Sequence, residues 1–333
     1  MSRITIKDIA RLLDINPSTV SRALKDHPDV SPDTKESVRR VANELGYQPN
    51  FQAIHFRNRR SGLIGLIIPE MNMFFLPSVI KSIEETIRKN GYNLIVFQSN
   101  DSLEREIEIV RICQGFSIDG LLVSVSKETM DTEHFQELKD EGKPVVFFDR
   151  VVQQSGFPQV VIDDKQVSVI AVEHLIQKGY QRICGLFDKP NLSISQQRYR
   201  GYKKAIEDHG GKVALEYCIF ADDLEMGREL FSTLLQHPEP PDALFVMSDE
   251  LLAGAMQAIT EKNWSVPDNL GIVSISDGRL PYFLKPQITH IRHSGSIVGS
   301  LAVDLLFQLL NNPDYVQDIN VGLDTPLVKL GSV

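Results

Sequence analysis

Apolar residues recur with a helical period in three short stretches near the start of the chain. From Ile6 to Leu13 they lie at i, i+3, i+4 and i+7, which predicts a helix with one buried face. A second stretch follows Asn16-Pro17 and a third follows Ser31-Pro32, and each pair places a capping residue before a proline at the first helical position. Because only a short turn separates the first two helices, the pattern predicts a helix-turn-helix unit.

From residue 63 onward, apolar runs alternate with amphipathic stretches. Runs typical of buried strands are Leu63–Ile68, Asn93–Gln98, Gly120–Val123, Val145–Phe148, Gln159–Ile162, Ile183–Phe187, Ala243–Met247 and Ile272–Ile275. Helical periodicity lies between them, at Val79–Lys89, Leu103–Cys113, Val167–Lys178, Tyr199–Asp208, Gly227–Leu235 and Leu251–Lys262. This repeated β-α-β order predicts an α/β body of parallel sheets covered by helices. The length fits two such sheets with a cleft between them, at the carboxyl ends of the strands.

Composition narrows the class of protein. The chain has 333 residues, of which 42% are hydrophobic and 24% charged, so it can bury real cores and is not disordered by composition. Its three cysteines, Cys113, Cys184 and Cys218, form no CxxC pair, which excludes a disulfide scaffold and a zinc finger. The apolar runs are too short to span a membrane, and the first residues lack a signal peptide. We therefore expect a soluble, cytoplasmic protein without a membrane partner.

Charge is distributed unevenly along the chain. The formal net charge is −9, yet residues 1–60 hold 11 Lys+Arg against 7 Asp+Glu, a net of +4, and the remaining residues carry −13. A basic head on an acidic body indicates an anionic partner for the head alone. A chance cluster of surface charge is the alternative interpretation.

The second predicted helix exposes side chains that suit DNA. Val20, Ala23 and Leu24 form its inward face, which leaves small hydroxyls and Arg22 outside. Such side chains fit a major groove and reach base edges and phosphates. An ordinary helical subdomain with a solvated polar face is the alternative that the spacing alone leaves open.

Motifs for catalysis are absent from the sequence. No GxGxxG follows a strand, and the chain contains no GxxxxGK[ST], no GxSxG and no helical HxxxH pair. We therefore expect no catalytic residue, no cofactor and no metal site.

Several segments together resemble one family. Thr5-Ile-Lys-Asp-Ile-Ala10, Pro17-Ser-Thr-Val-Ser-Arg-Ala-Leu24, Val30-Ser-Pro-Asp-Thr34 and Ala42-Asn-Glu-Leu-Gly-Tyr-Gln-Pro-Asn50 resemble the head of the LacI/GalR (lactose-repressor-type) family of transcriptional regulators. The body resembles it at Val145-Val-Phe-Phe-Asp-Arg150, Ala171-Val-Glu-His-Leu175, Arg198-Tyr-Arg-Gly-Tyr202, Ser248-Asp-Glu-Leu-Leu-Ala-Gly-Ala-Met256 and Val273-Ser-Ile-Ser-Asp277. The resemblance implies a three-helix head and hinge, followed by a body of two subdomains similar to periplasmic sugar-binding proteins.

The resemblance also implies a set of DNA contacts. Pro17, Ser18 and Arg22 occupy positions where family members read bases, and Arg22 suits bidentate contact with guanine. Residues expected mainly at phosphates are Thr5, Thr19, Ser21, Ser31, Thr34, Tyr47 and Asn50. In the hinge, Ala53 matches the family pattern, while Phe56 replaces the leucine that wedges between bases. A flexible basic linker with Phe56 packed on the body is the alternative.

For the body, the resemblance implies an effector pocket. Carried over by position, it contains Phe75, Ser124, Asp149, Arg150, Arg198, Ser248 and Asp277. Carboxylates that accept from hydroxyls, an arginine that donates to adjacent oxygens and an aromatic wall suit a polyol. Two arginines near one cleft would also suit a carboxylate or a phosphate, so an acidic sugar or a sugar phosphate is an alternative effector. Near Asp222-Asp223 many relatives carry an aromatic ligand contact, and this chain has acids instead.

These observations predict three parts: a head at 1–50, a hinge at 51–61 and a body at 62–333 for effector binding and dimerisation. The body is expected to divide into 62–161 plus 293–322, and 162–292 plus 323–333. We predict a homodimeric repressor that binds a pseudo-palindromic operator in double-stranded DNA under allosteric control by a small molecule, a sugar or sugar derivative. The alternatives are a cytoplasmic receptor without specific DNA readout, an enzyme of carbohydrate metabolism, and a regulator whose partner is a protein.

Overall fold

The computed structural model describes residues 4–47, 60–72, 74–312, 315, 319–320 and 325–333. The chain forms two compact units, Met1–Ser61 and Gly62–Val333. Within the described residues no helix is long and apolar enough to cross a membrane.

Within residues 4–47, the described stretch at the start of the chain, the first unit contains three helices, which are α1 (Ile6–Leu13), α2 (Pro17–Leu24) and α3 (Pro32–Glu44). Each helix contributes a completely buried residue to a shared core, namely Ile9, Val20 and Val38. A core of three short helices is small, so the caps matter for its stability. All three helix starts are capped, and Asn16 and Ser31 are the caps that the sequence predicts: the Asp8 carboxylate accepts the Thr5 N–H at 2.9 Å, Asn16 Oδ1 accepts the Ser18 N–H at 2.9 Å, and Ser31 Oγ accepts the Thr34 N–H at 3.4 Å.

The second unit is built on two sheets. Its strands are β1 (Leu63–Ile68), β2 (Asn93–Gln98), β3 (Gly120–Val123), β4 (Val145–Phe148), β5 (Gln159–Val161), β6 (Ile183–Phe187), β7 (Cys218–Phe220), β8 (Ala243–Val246), β9 (Gly271–Ser276), β10 (Thr289–Arg292), β11 (Ile319–Asn320) and β12 (Leu327–Val328). The strand orders are β11-β5-β4-β3-β1-β2 and β12-β10-β9-β8-β6-β7. All pairings between the described strands are parallel except that of β10 with β12. The predicted α/β body with parallel sheets is therefore confirmed, with one antiparallel strand at an edge.

Helices cover both sheets. They are α4 (Leu76–Lys89), α5 (Leu103–Gly115), α6 (Glu133–Asp140), α7 (Asp164–Gln177), α8 (Ser193–Asp208), α9 (Leu224–Leu234), α10 (Asp249–Glu261), α11 (Leu280–Phe283) and α12 (Gly295–Asn311), with a 3₁₀ turn at Leu215–Tyr217. Because helices lie on both faces, strand β1 is buried from Ile64 to Ile68, which explains its continuous apolar run.

The chain passes between the two sheets more than once. It leaves the first sheet after β5, returns after β10 through α12, which packs on α4, and reaches the second sheet again at β12. We call the sheet that contains β1, with its helices, the first half of the body, and the sheet that contains β6, with its helices, the second half. Repeated crossings place the carboxyl ends of both sheets around one cleft.

Several elements of the body are not evident from local sequence. Strands β7, β10, β11 and β12 have two to four residues each, and no continuous apolar run of four residues marks β10, β11 or β12 in the sequence. Helix α12 is apolar nearly all round, since it packs against α4 and also against β3 and β4. A helix buried on several sides shows no amphipathic period.

Helices α7 and α8 approach closely at Gly201. A Cβ atom added there would lie 2.2 Å from the Lys165 carbonyl oxygen and 2.7 Å from the Ser168 Cβ. We expect Gly201→Ala to destabilise the body by about 1–3 kcal/mol, because the two helices must move apart.

Gly115 provides the matched control for this substitution. It also lies in a helix, yet a Cβ added there meets no atom within 4 Å. Gly115→Ala is expected to be neutral or stabilising by up to about 1 kcal/mol. Thermal unfolding of both variants checks the pair, and an equal effect of the two substitutions would contradict the close contact at Gly201.

Candidate functional site

A cavity of about 410 Å³ lies where the carboxyl ends of the two sheets meet. Six of the seven predicted effector residues line it. Phe75, Asp149 and Arg150 come from the first half, and Arg198, Ser248 and Asp277 come from the second half. The fold thus brings together side chains as far apart in sequence as Phe75 and Asp277.

Ser124 is the exception among the predicted effector residues. It follows strand β3, its backbone N–H donates to the Ile67 carbonyl at 3.0 Å, and its side chain is completely buried. It does not contribute to the cavity lining. Ser124 follows a strand, as several residues of the cavity lining do, but its side chain lies in the interior of the first half.

Both predicted arginines are buried and held by carboxylates. The Nε of Arg198, a residue 4% exposed on α8, donates to Asp164 Oδ1 at 2.7 Å, and its Nη1 donates to the Met247 carbonyl. The Nη1 of Arg150, 3% exposed after β4, donates to Asp101 Oδ1 at 2.7 Å. Burial of a guanidinium requires such charged partners. Neither acid is evident from the sequence, because each lies far from its arginine in the chain.

Contacts between the two halves close the cleft. Lys127 of the first half lies 3.2 Å from Asp188 Oδ1 and donates to the Asp222 carbonyl at 2.7 Å. The Phe74 N–H donates to Glu250 Oε1 at 2.7 Å. These contacts depend on the angle between the halves, so a change in that angle would break them.

An aromatic wall forms on one side of the cavity. Phe75 stacks on His293, with ring centroids 4.3 Å apart and an interplanar angle of 24°. Burial, and after it the charge of Arg198, lowers the pKa of His293 to about 3, so the imidazole is neutral at neutral pH. His293 was not predicted, because it follows β10, a strand that the apolar pattern did not reveal.

Three carboxylates of the cleft hold protons more tightly than usual. Burial raises the pKa of Asp149 to about 6 and that of Asp249 to about 7, and it also raises the pKa of Asp277. Asp249 Oδ2 accepts from Ser276 Oγ at 2.9 Å and from the Asp277 N–H at 3.3 Å, whereas its Oδ1 is buried with no hydrogen-bond partner. Asp249 was missed although it directly follows Ser248.

In the first unit, helix α2 presents the predicted base-reading residues. Pro17, Ser18 and Arg22 are exposed, and no described acid pairs with Arg22. The predicted phosphate-contacting residues are exposed or half-buried on the same unit: Thr5, Thr19, Ser21, Ser31, Thr34 and Tyr47. Asn50, Ala53 and Phe56 lie outside the described residues.

Comparison with known protein families identifies the class. A model described as bacterial regulatory proteins of the lacI family matches residues 5–50. A model described as periplasmic binding proteins and sugar binding domain of the LacI family matches residues 61–312, more than half of the chain. The chain belongs to the LacI family, as the sequence motifs predicted.

Individual proteins agree with this assignment. The chain is 30% identical to the ribose operon repressor of Haemophilus influenzae over 315 residues, 93% of each protein. It is 29% identical to catabolite control protein A of Priestia megaterium over 312 residues, 92% of this chain and 93% of that protein. Its fold is similar to that of the Lac repressor dimer bound to operator and the anti-inducer ONPF, with a TM-score of 0.88 at 22% identity and 99% of each chain covered. The chain is thus a DNA-binding transcriptional regulator of this family and not an enzyme.

The raised pKa of Asp249 has a consequence for stability. Between about pH 4 and pH 7 the folded protein binds a proton that the unfolded chain has released, so this group lowers the free energy of unfolding as pH rises. Asn does not titrate. Asp249→Asn is therefore expected to stabilise the body relative to the wild type. We expect this gain in the free energy of unfolding to be larger at pH 8 than at pH 5, by about 1–3 kcal/mol.

Urea unfolding at the two pH values measures this difference. Asp140→Asn, at the exposed end of α6 and outside the cleft, is the matched control. A stability difference for Asp249→Asn that is the same at both pH values would show that Asp249 is not an uncompensated buried carboxylate.

Proposed function

We propose that the chain is a cytoplasmic, homodimeric repressor whose affinity for a pseudo-palindromic operator is controlled by a small molecule in the cleft. The observation that carries this proposal is an exposed Arg22 on α2, with no acidic partner among the described residues, in the same chain as a polar cavity between two halves of the body. The exposed arginine suits an anionic DNA duplex, and the polar cavity suits a small polar ligand. Two heads on one two-fold axis would read a symmetric site.

In the proposed DNA complex, α2 enters the major groove. Arg22 donates to O6 and N7 of a guanine, and Ser18 contacts a neighbouring base edge, while Pro17 offers only apolar contact. The remaining head residues fix the register of the head through phosphates: Thr5, Thr19, Ser21, Ser31, Thr34, Tyr47 and Asn50. For the hinge, the sequence supports Phe56 as an apolar wedge in the minor groove beside Ala53.

For the effector, the cleft supports a polyhydroxylated compound. Asp149 and Asp277 accept hydrogen bonds from hydroxyl groups, and the Phe75 ring packs against the C–H face of a sugar. Arg198 and Arg150 retain donors, but both are already held by carboxylates. A sugar or a sugar derivative therefore fits these groups, with Ser248 as a further hydroxyl at the wall.

The proposed control rests on two arrangements of the body. In one the halves are joined by Lys127–Asp188 and Phe74–Glu250, and in the other these contacts are changed. An effector that binds one arrangement better shifts the equilibrium, typically by about 1–3 kcal/mol of coupling free energy. The equilibrium then determines whether the paired hinges of a dimer are positioned to bind DNA.

Selection of binding sites from random duplex DNA tests the DNA-binding part of the proposal. The wild-type chain is expected to enrich a two-fold symmetric site. Arg22→Ala should weaken binding to that site by about 1–3 kcal/mol and relax the preference at one base pair in each half-site.

Arg11→Ala is the matched control, because Arg11 is an exposed arginine of α1 with no predicted base contact. It is expected to leave the selected sequence unchanged. If Arg22→Ala selects the same sequence as the wild type, base reading by Arg22 is wrong.

A second experiment tests the effector site. Asp277→Ala removes a hydroxyl acceptor at the end of β9, so it should abolish the effect of ligand on operator binding. Asp140→Ala, outside the cleft, should preserve the response. Operator titrations with and without a pool of sugars measure both variants, and a normal response of Asp277→Ala would place the effector elsewhere.

A further inference from the structure

The lining of the cleft is strongly acidic. Basic side chains on it are Lys127, Arg150 and Arg198. Among the described residues, the lining also contains ten carboxylates: Glu70, Asp101, Asp149, Asp188, Asp222, Asp223, Glu225, Asp249, Glu250 and Asp277. A cavity with low-dielectric walls and one sign of charge concentrates ligands of the opposite sign.

The basic side chains are already neutralised within the protein. Lys127 lies 3.2 Å from Asp188, Arg150 lies 2.7 Å from Asp101, and Arg198 lies 2.7 Å from Asp164. Each cation thus has its own carboxylate at contact distance. An anionic ligand would find no unpaired positive charge on these three side chains.

Three further carboxylates have no such partner. No described basic side chain forms an ion pair with Asp149, Asp249 or Asp277, which come from both halves of the body. Asp249 is the most informative of them, since its side chain is 4% exposed and its Oδ1 has no hydrogen-bond partner. A buried carboxylate oxygen without a donor is costly, and a ligand that supplies a charged donor removes that cost.

We propose that the effector is an amino sugar, a polyhydroxylated ring whose protonated amino group binds at Asp249 between Asp149 and Asp277. This rests on the proposed function of the cleft as the effector site. The ammonium group donates to the unpartnered oxygen of Asp249, and the ring packs on Phe75 and its stacked His293. Burial raises the pKa of each of the three carboxylates, and a bound ammonium group would lower these pKa values again because it favours the ionised form.

Calorimetric titration of the full chain at pH 7 tests the charge preference with matched sugar pairs. The probes are glucosamine with glucose, galactosamine with galactose, and mannosamine with mannose, together with glucose 6-phosphate and glucuronate. At least one amino sugar should bind about ten-fold or more tightly than its hydroxyl counterpart, as expected for a close charge pair, and the anionic sugars should bind more weakly than either.

Asp249→Asn should reduce this preference at least several-fold, because the amide keeps the shape and loses the charge. Glu104→Gln makes the same change of charge in the exposed first turn of α5, outside the cleft, and should keep the full preference. Asp149→Asn serves as a second test if Asp249→Asn does not fold.

Two outcomes overturn the amino-sugar proposal. One is binding of a neutral or anionic sugar as tight as that of its amino counterpart, and the other is failure of every amino sugar to bind. Neither outcome affects the repressor proposal if the wild-type chain still selects a symmetric DNA site. Failure of that selection counts against the repressor proposal itself, so the two failures are distinguishable.

Discussion

The body depends on the pairing of one buried guanidinium. Arg198 lies on α8, its carboxylate partner Asp164 begins α7, and its backbone acceptor Met247 follows β8, so one side chain connects three elements of the second half. Removal of one partner from a buried ion pair leaves an uncompensated charge and typically costs about 3–5 kcal/mol. The same pairing holds α7 and α8 together where Gly201 allows their backbones to meet. The Arg198–Asp164 ion pair also positions the part of the cleft wall that the second half of the body contributes.

Electrostatics gives the two units of the chain different partners. The average net charge of −9 would argue against DNA, but it combines a basic head with an acidic body. In the head, the arginine of α2 is exposed and pairs with no acid in the part of the chain that the structure describes, and such groups attract phosphates and read bases. In the cleft the basic side chains are paired and carboxylates remain in excess. The number of arginines in a cleft therefore does not predict the charge of its ligand. The carboxylates that pair with these arginines have to be counted as well.

Some elements are not evident from local sequence, and the physical reasons are short length and burial on several sides. A strand of three residues such as β7 has too few side chains to show a period, and α12 is buried on too many sides to be amphipathic. Both are specified by neighbouring elements rather than by their own pattern. Ser124 illustrates the same limit within the site, since its position after a strand was informative but the orientation of its side chain was not.

The sequence by itself determined the local structure and the family. Caps such as Asn16 and Ser31, the continuous apolar strands and the motifs around Arg22 and Asp277 depend on residues that are close in the chain, so they can be read there. Tertiary structure alone decided which charges are compensated. Arg150 meets Asp101 and Arg198 meets Asp164 across 49 and 34 residues, while Asp249 Oδ1 has no hydrogen-bond partner among the described residues. The pairing of these charges depends on which strand ends the fold brings together, and no local sequence pattern encodes this pairing.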